Sequence, residues 1–196
     1  MATLTFFARW FGQNASSRLS RSRGSSRIVA LSDRVLMAQV FIPAFASEGG
    51  RILAIGCRGY NRDDYPPLLA AGAEVWTTDC DTRAARWGVQ GHHRTGDACV
   101  VDQLFNDLRF DAILCNGVFG HGVDSLDQQT RALAAMARLL HPGGRLLLGW
   151  NTERMADPIT SGQIATWYVP APFAGLPSRV TFDDVTHVYD SLVRLG

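Results

Sequence analysis

The chain has 196 residues and a formal net charge of +1, and 46% of its residues are hydrophobic against 19% charged. This composition is typical of a globular protein, and the length fits one domain with a substantial core. No apolar run approaches the roughly 18–20 residues that span a bilayer, so we expect a soluble, cytoplasmic protein without a membrane partner.

Four widely spaced cysteines contain no C-x-x-C pair: Cys57, Cys80, Cys99 and Cys115. Structural zinc sites and disulfide frameworks normally show paired or closer spacings. We therefore predict no metal site and no disulfide bond, and we expect buried, reduced thiols.

Residues 1–30 differ from the rest of the chain and are predicted to form an N-terminal arm. An aromatic cluster precedes Gly12, and a stretch rich in Ser and Arg follows it, with no acidic residue before Asp33. A flexible arm whose aromatic tip folds over the domain is the favoured interpretation. The alternatives are a mitochondrial transit peptide and a segment that holds a phosphate-bearing partner. Nothing in residues 31–196 resembles a nucleic-acid module, so a nucleic-acid partner is not expected.

The main domain is predicted to cover residues 31–196 and to begin with a helix. Ser32 can cap this helix, apolar residues recur at helical spacing, and Pro43 and the following glycines are expected to end it. We expect the helix to pack on the sheet that follows.

Residues 51–56 form an apolar run without polar alternation, which predicts a parallel strand covered on both faces. The strand ends at Gly56 and Gly59, where the backbone can turn sharply and a ligand can approach closely. A helix over 63–72 and a second strand over 73–78 follow, and Asp79 closes that strand. Strand, glycine turn, helix, strand and acid form the first half of a nucleotide-binding fold, in which the acid takes two ribose hydroxyls of an adenosine.

The rest of the chain continues the alternation of helices and strands. We predict helices over 82–87 and 100–107 and after a capping Asp124, and strands over 89–96, 109–115, 145–150, 179–182 and 188–193. Residues 151–177 are rich in Pro and Gly and are predicted to form a long functional loop. The fold class is therefore α/β: a Rossmann-like, mostly parallel seven-stranded sheet with helices on both faces and an antiparallel C-terminal strand.

Five segments, in this order, resemble the class I S-adenosylmethionine-dependent methyltransferase superfamily over roughly residues 50–151. They are the glycine-rich first motif at 52–59, Asp79 at the ribose position, Gly96-Asp97-Ala98 beside the adenine, the fourth strand and its loop at 110–119, and the double-glycine turn at 139–146. The resemblance implies S-adenosylmethionine as the cofactor and methyl transfer as the activity. The residues it assigns to the cofactor site are Gly56, Cys57, Arg58, Gly59, Asp79, Cys80, Asp97, Ala98 and Asn116.

Two departures from the family's first motif concern the cofactor. The family commonly has an acid at the position of Ala54 and further glycines at the positions of Arg58 and Tyr60. Arg58 can make a forked contact to the carboxylate of the cofactor. It can instead repel the positively charged sulfonium or serve a different anionic ligand.

The acceptor side is predicted from position in the chain. His121 follows the fourth strand and is the candidate general base, because the unperturbed pKa of histidine lies close to working pH; an exposed or structural role is the alternative. Asn151 and Tyr168 are expected to line the acceptor pocket. The short chain suggests a small-molecule acceptor, such as a sugar or a secondary metabolite, methylated on oxygen or nitrogen, and a homodimer is compatible with this.

Two other functions remain open on the sequence. A nicotinamide-dependent oxidoreductase normally carries the motif G-x-G-x-x-G. Residues 56–59 contain only two glycines, Gly56 and Gly59, and so match this motif only in part. A fold relative without catalysis, acting as a binding partner, would explain Ala54 and Arg58.

Overall fold

The computed structural model describes residues 31–196, and the predicted N-terminal arm lies outside the described residues. The strands of this part, in chain order, are β1 (Arg51–Ile55), β2 (Glu74–Asp79), β3 (His93–Thr95), β4 (Phe110–Asn116), β5 (Leu140–Asn151), β6 (Tyr168–Pro170), β7 (Arg179–Thr181) and β8 (His187–Arg194). They form one mixed sheet with the order β3-β2-β1-β4-β5-β8-β6, and β7 also pairs with β8.

The first five strands are parallel, and the last three add an antiparallel edge. β1 pairs in parallel with β2 and β4, while β8 runs antiparallel to β5. On its other edge β8 pairs with β7 at residues 188–190 and with β6 at residues 192–194. The predicted α/β class with an antiparallel C-terminal edge is confirmed. The count of seven strands is wrong for the described residues, because β6 forms inside the stretch predicted to be a loop.

Within residues 31–196, four helical elements cover the sheet. The first, α1, comprises an α-helix at Ser32–Leu36, a π-helical segment at Met37–Phe41 and an α-helix at Ile42–Glu48. The others are α2 (Tyr65–Ala70), α3 (Val101–Leu104) and α4 (Leu126–Leu139), and short 3-10 turns lie at Arg62–Asp64, Thr82–Trp87 and Ala98–Val100. No helix within residues 31–196 is both long enough and apolar enough to cross a bilayer.

The two faces of the sheet bury separate hydrophobic clusters. Side chains alternate along β1, so that Leu53 and Ile55 pack on the face covered by α3 and α4, whereas Ile52 and Ala54 pack on the face covered by α1 and α2. Burial on both faces explains why this strand shows no polar alternation. The sheet is therefore a rigid support for the loops at its edges.

Two predicted helix boundaries differ from the structure. The first helix ends after Glu48 at Gly49, as predicted for the glycines, but Pro43 does not end it; the wider π-helical turn before Pro43 accommodates a residue that has no N–H to donate. Ser125, not Asp124, caps α4, because its side chain accepts from the Gln128 backbone and the Gln128 side chain accepts in return.

Candidate active site

The strand order reverses between β1 and β4, and the carboxyl ends of these two strands diverge there into a crevice. A cleft with an empty volume of about 390 Å³, open to solvent, lies at this edge. Seven of the residues predicted from the sequence line it: Gly56, Arg58, Asp79, Cys80, Asp97, Ala98 and His121. The topology thus brings together residues that are up to 65 positions apart in the chain.

Gly56 gives the cleft its floor. Its φ of +94° lies in the left-handed region, and a Cβ there would stand 2.5 Å from the backbone oxygen of Asn116 and 2.8 Å from a methyl group of Val118. Any side chain would therefore clash as well as strain the backbone. Glycine is therefore required for the loop to pack this closely against the end of β4 and the residues that follow it.

Asn61 holds the glycine loop in place, and the sequence analysis did not identify it. Its amide nitrogen donates to the Gly56 carbonyl at 2.9 Å, and its Oδ1 accepts from the Arg58 backbone at 2.7 Å. Asn61 is buried, although it lies in a loop with polar neighbours. The sequence does contain a relevant signal, because an Asn in a glycine-containing turn often hydrogen-bonds to backbone groups a few residues away.

Asp79 ends β2 with a carboxylate that is only 5% exposed. Its Oδ2 accepts from the Cys57 backbone at 2.8 Å and from Arg58 Nη1 at 2.5 Å, and its Oδ1 accepts from the Asp81 backbone at 2.9 Å. These contacts couple the end of β2 to the glycine loop. An ionised carboxylate offers about four acceptor positions, so one remains for a ligand hydroxyl and a second becomes available if Arg58 moves.

The residues predicted to lie beside the adenine form a turn in the lining of the cleft. Asp97 accepts from the Cys99 backbone at 2.9 Å and so caps the turn Ala98–Val100. Its side chain remains exposed, and Ala98 is buried beside it. Cys80 is also exposed on the cleft wall, which corrects the expectation that all four free thiols are buried.

Three residues assigned to the cofactor from the sequence do not line this cleft. Cys57 is fully buried and contributes its backbone N–H to Asp79, and Gly59 points away, since a Cβ there would meet the Trp87 indole at 3.3 Å. Asn116 lines a neighbouring cavity with an empty volume of about 340 Å³, together with Ala54 and Asp64. This second cavity shares Ile55 and Gly56 with the cleft.

The two residues predicted for the acceptor pocket have other positions. The prediction that Tyr168 lines the acceptor pocket is wrong. Its side chain is 2% exposed, belongs to a hydrophobic cluster, and donates its hydroxyl to the Leu133 backbone at 2.9 Å. Strand β6 pairs with β8 and turns this side chain into the core. The side chain of Asn151 donates to Thr186 Oγ1 at 3.0 Å, and its Oδ1 contacts His187 Nδ1 at 3.4 Å. Asn151 therefore contacts the residues at the start of β8.

Asp64 is a titratable group that the sequence analysis did not single out. Burial raises the pKa of Asp64 from 3.8 to about 7, partly opposed by the positive charge of Arg34. The group lies in the same cavity as Ala54, the position where the resembling family commonly has an acid. Within residues 31–196 no three His, Cys, Asp or Glu side chains are grouped as a metal ion would require.

Residues 53–148 match the family model described as a methyltransferase domain. The matched segment is a methyltransferase domain, as the resemblance to S-adenosylmethionine-dependent methyltransferases implies. Such enzymes use S-adenosylmethionine as their cofactor, and the cleft fits such a group. Gly56 lines the cleft with main chain alone, and the carboxylate of Asp79 has acceptor capacity left for a ribose.

A curated relative and two solved structures extend the comparison. The chain is 34% identical over 110 residues to the human "Probable tRNA methyltransferase 9B", a match that covers 54% of this chain and 22% of the relative. The N-methyltransferase NodS from Bradyrhizobium japonicum WM9 superposes with a TM-score of 0.63 at 17% identity, over 84% of this chain and 97% of NodS. A TehB-like SAM-dependent methyltransferase from Corynebacterium glutamicum gives 0.60 at 20% identity, over 87% of this chain and 97% of the other. At these identities the two structures show a common fold.

Proposed function

We propose that this chain transfers a methyl group from S-adenosylmethionine to a small-molecule acceptor. The observation that supports this most directly is that Gly56 and the buried carboxylate of Asp79 line the same cleft. A main-chain approach and a charged hydrogen-bond acceptor are what an adenosine ribose requires at this edge of an α/β sheet.

The roles of the cleft residues follow from their chemistry. S-adenosylmethionine, when bound, supplies an activated methyl group on a cationic sulfur. Asp79 accepts the ribose hydroxyls, and the turn at Asp97 and Ala98 borders the adenine. The chain aligns the acceptor with the methyl group, an effect that can be worth roughly 7–11 kcal/mol. His121, exposed on the cleft, and Asp64, with a pKa near 7, are the candidates that remove a proton from the acceptor.

The charge distribution supports a small acceptor over a nucleic acid. All 18 acidic residues but only 14 of the 19 arginines lie in residues 31–196, so this part has a formal excess of acids. Polyanions bind to basic surfaces. The name of the human relative favours a second candidate, a tRNA acceptor, and radiolabelled methyl transfer into bulk tRNA would establish it in place of the first. The free cysteines suit a reducing cytoplasm, which is the location we propose.

The cofactor assignment can be tested by calorimetry on the full chain. We expect S-adenosylhomocysteine to bind and Asp79→Asn to weaken binding at least tenfold, because hydrogen bonds to a charged acceptor are worth about 1.5–3 kcal/mol each. Asp81→Asn is the matched control, since Asp81 lies two residues away and pairs with Arg83 outside the cleft. Thermal stabilisation by NAD but not by S-adenosylhomocysteine, or equal affinities of the two variants, would contradict the assignment.

A further inference from the structure

The second cavity, beside the cofactor cleft, combines an apolar wall with one carboxylate. The helices α1 and α2 and the strands β1 and β4 supply the wall, which consists of Met37, Ile42, Leu68, Ala54, Ile55 and Leu114. Asp64 has the only carboxyl group among the residues that line this cavity. Apolar walls with a few polar groups are typical of pockets that bind small molecules. The combination suits a short aliphatic chain that ends in a cation.

The carboxylate of Asp64 has no partner in the part of the chain that the structure describes. Its side chain is half-buried, and within residues 31–196 neither a hydrogen bond nor an ion pair reaches it. Arg34 on α1 is a nearby cation, but it pairs with Asp33 at 3.3 Å and lies 4.4 Å from the ring centroid of Tyr60. Taking a charge out of water is costly unless an opposite charge or hydrogen-bond donors replace the water. An ionised Asp64 therefore lacks a cation in the free chain.

The groups around Asp64 favour its protonated form in the free chain. Burial raises the pKa of Asp64 to about 7 and the neighbouring Asp63 adds to this rise, whereas the positive charge of Arg34 opposes it. The other titratable groups that face it are the phenols of Tyr65 and Tyr189, which stay neutral because burial raises their pKa values as well. A ligand cation beside Asp64 would favour the ionised carboxylate and lower its pKa. Binding of such a cation is therefore coupled to the release of a proton.

The cavity and the cofactor cleft meet at the glycine loop. Ile55 and Gly56 line both of them, and Asn61, which lines the cavity, holds the Gly56 carbonyl at 2.9 Å. A ligand whose ribose lies at Asp79 in the cleft can therefore continue past Gly56 into the cavity. S-adenosylmethionine has the composition that this path requires, because an aliphatic chain leads from its sulfur to an ammonium and a carboxylate.

We propose that the second cavity receives the amino-acid tail of S-adenosylmethionine and that Asp64 is the counter-ion of the tail's ammonium group. This proposal rests on the proposed methyltransferase function and adds a specificity-determining residue to it. An ammonium offers three N–H donors, and hydrogen bonds between a cation and a carboxylate are among the strongest in proteins. With Asp64 engaged in this way, His121 is left as the candidate base in the cleft.

Three ligands that share the adenosine test the assignment by titration calorimetry on the full chain at pH 8. They are S-adenosylhomocysteine, its analogue with hydrogen in place of the α-amino group, and 5′-methylthioadenosine, which lacks the amino-acid tail. We expect the wild type to bind S-adenosylhomocysteine at least tenfold more tightly than the desamino analogue, because only the former brings a cation to Asp64. Equal affinities of these two ligands would overturn the assignment.

Two variants of adjacent residues separate Asp64 from the general charge of the loop. In Asp64→Asn the preference for the amino group should fall to threefold or less, whereas the affinity for methylthioadenosine should stay within a factor of two. Asp63→Asn is the matched control and should keep the full preference, because its side chain is 87% exposed. A full preference in Asp64→Asn would show that another group holds the ammonium.

The pH dependence of binding is a readout that a merely structural role of Asp64 would not move. The wild-type affinity for S-adenosylhomocysteine should rise about tenfold from pH 5.5 to pH 8, because Asp64 must lose its proton before it pairs with the ammonium. Near pH 6 the heat of binding should depend on the buffer, as release of about one proton requires. Asp64→Asn should show neither effect, and methylthioadenosine corrects for titration of His121 in the cleft.

The same titrations distinguish failure of this assignment from failure of the proposed function. If the wild type binds none of the three ligands, both are wrong. If it binds methylthioadenosine but shows no preference for the amino group and no rise in affinity with pH, the cofactor site stands and the role of Asp64 is wrong. These outcomes depend on the wild type alone, so they decide even where a variant does not fold.

Discussion

Arg58 and Asp79 form an ion pair that stabilises the buried carboxylate in the free chain but competes with a ligand for it. Arg58 Nη1 lies 2.5 Å from a carboxylate that is otherwise almost completely buried, and Arg58 also donates to the Cys57 carbonyl at 2.7 Å. The pair neutralises Asp79 when the cleft holds no ligand. It also occupies one of the acceptor positions that a ribose would use.

Replacing Arg58 with Ala should therefore strengthen the binding of S-adenosylhomocysteine. The side chain of Arg58 is 41% exposed, so the competition is worth about 0.5–1 kcal/mol, which corresponds to a two- to fivefold lower dissociation constant by titration calorimetry. Arg62→Ala, an exposed arginine of the same loop, is the control and should bind as the wild type does. Weaker binding by Arg58→Ala would instead support the forked contact to the cofactor's carboxylate.

At the scale of residues, the sequence predicted the groups whose position follows from the local chain. Gly56 and Asp79 end neighbouring strands, and parallel strands bring such ends to one edge of the sheet. Asp64 could not be found in this way, because the cavity that it lines forms only where α1, α2, β1 and β4 come together. The prediction for Tyr168 failed for a related reason, because nothing in a Pro- and Gly-rich stretch indicates whether a short strand will form there and bury the aromatic side chain.

Among the elements, β8 fastens the C-terminal half of the sheet. Arg179 on β7 makes paired contacts of 2.5–2.9 Å to two carboxylates, Asp157 in the loop after β5 and the fully buried Asp190 on β8. Asp190 also accepts from the Trp150 indole at 2.8 Å. One guanidinium therefore joins a loop and two strands, and it holds the pKa of Asp157 at about 2.

Arg179→Leu should destabilise the protein by about 3–5 kcal/mol, because it leaves the carboxylate of Asp190 buried without its cation. The measurement is the free energy of unfolding in urea. Arg131→Leu, which breaks an exposed pair on α4, should cost at most about 0.5 kcal/mol. A loss below 1 kcal/mol for Arg179→Leu would show that Asp190 is satisfied by Trp150 alone.

At the scale of elements, the parallel half of the fold could be predicted because its signals are local: apolar runs, glycine turns and helical spacing. The antiparallel edge was predicted in class but not in detail. The strands predicted over 179–182 and 188–193 correspond to β7 and β8, whereas the three-residue β6 was missed, because its existence depends on pairing with β8 and not on its own composition.

For the whole molecule, Asp64 predicts how stability depends on pH. Its pKa is about 7 in the folded state and about 3.8 in the unfolded state, so the folded protein binds more protons between these values and stability falls as pH rises from 4 to 7. Asp64→Asn should remove this loss. We expect the variant to gain about 1–2 kcal/mol over the wild type at pH 8, less than the full pKa difference implies because the group is only partly buried.

Urea unfolding of both proteins at pH 4 and pH 8 provides the test. Asp63→Asn, the exposed neighbour, controls for a change in net charge. A constant difference between Asp64→Asn and the wild type across this range would show that Asp64 ionises normally in the folded protein.

The four cysteines of the whole molecule are not equivalent. Burial raises the pKa of all four thiols, and that of Cys57 and Cys99 to about 11, but Cys80 alone among them is exposed, on the cleft wall. A thiol-reactive fluorophore should therefore attach to the native chain at one position. The fluorescence of such a label would report on ligand occupancy in real time without any mutation. A ligand in a metabolite mixture could also be identified because it protects Cys80 from alkylation.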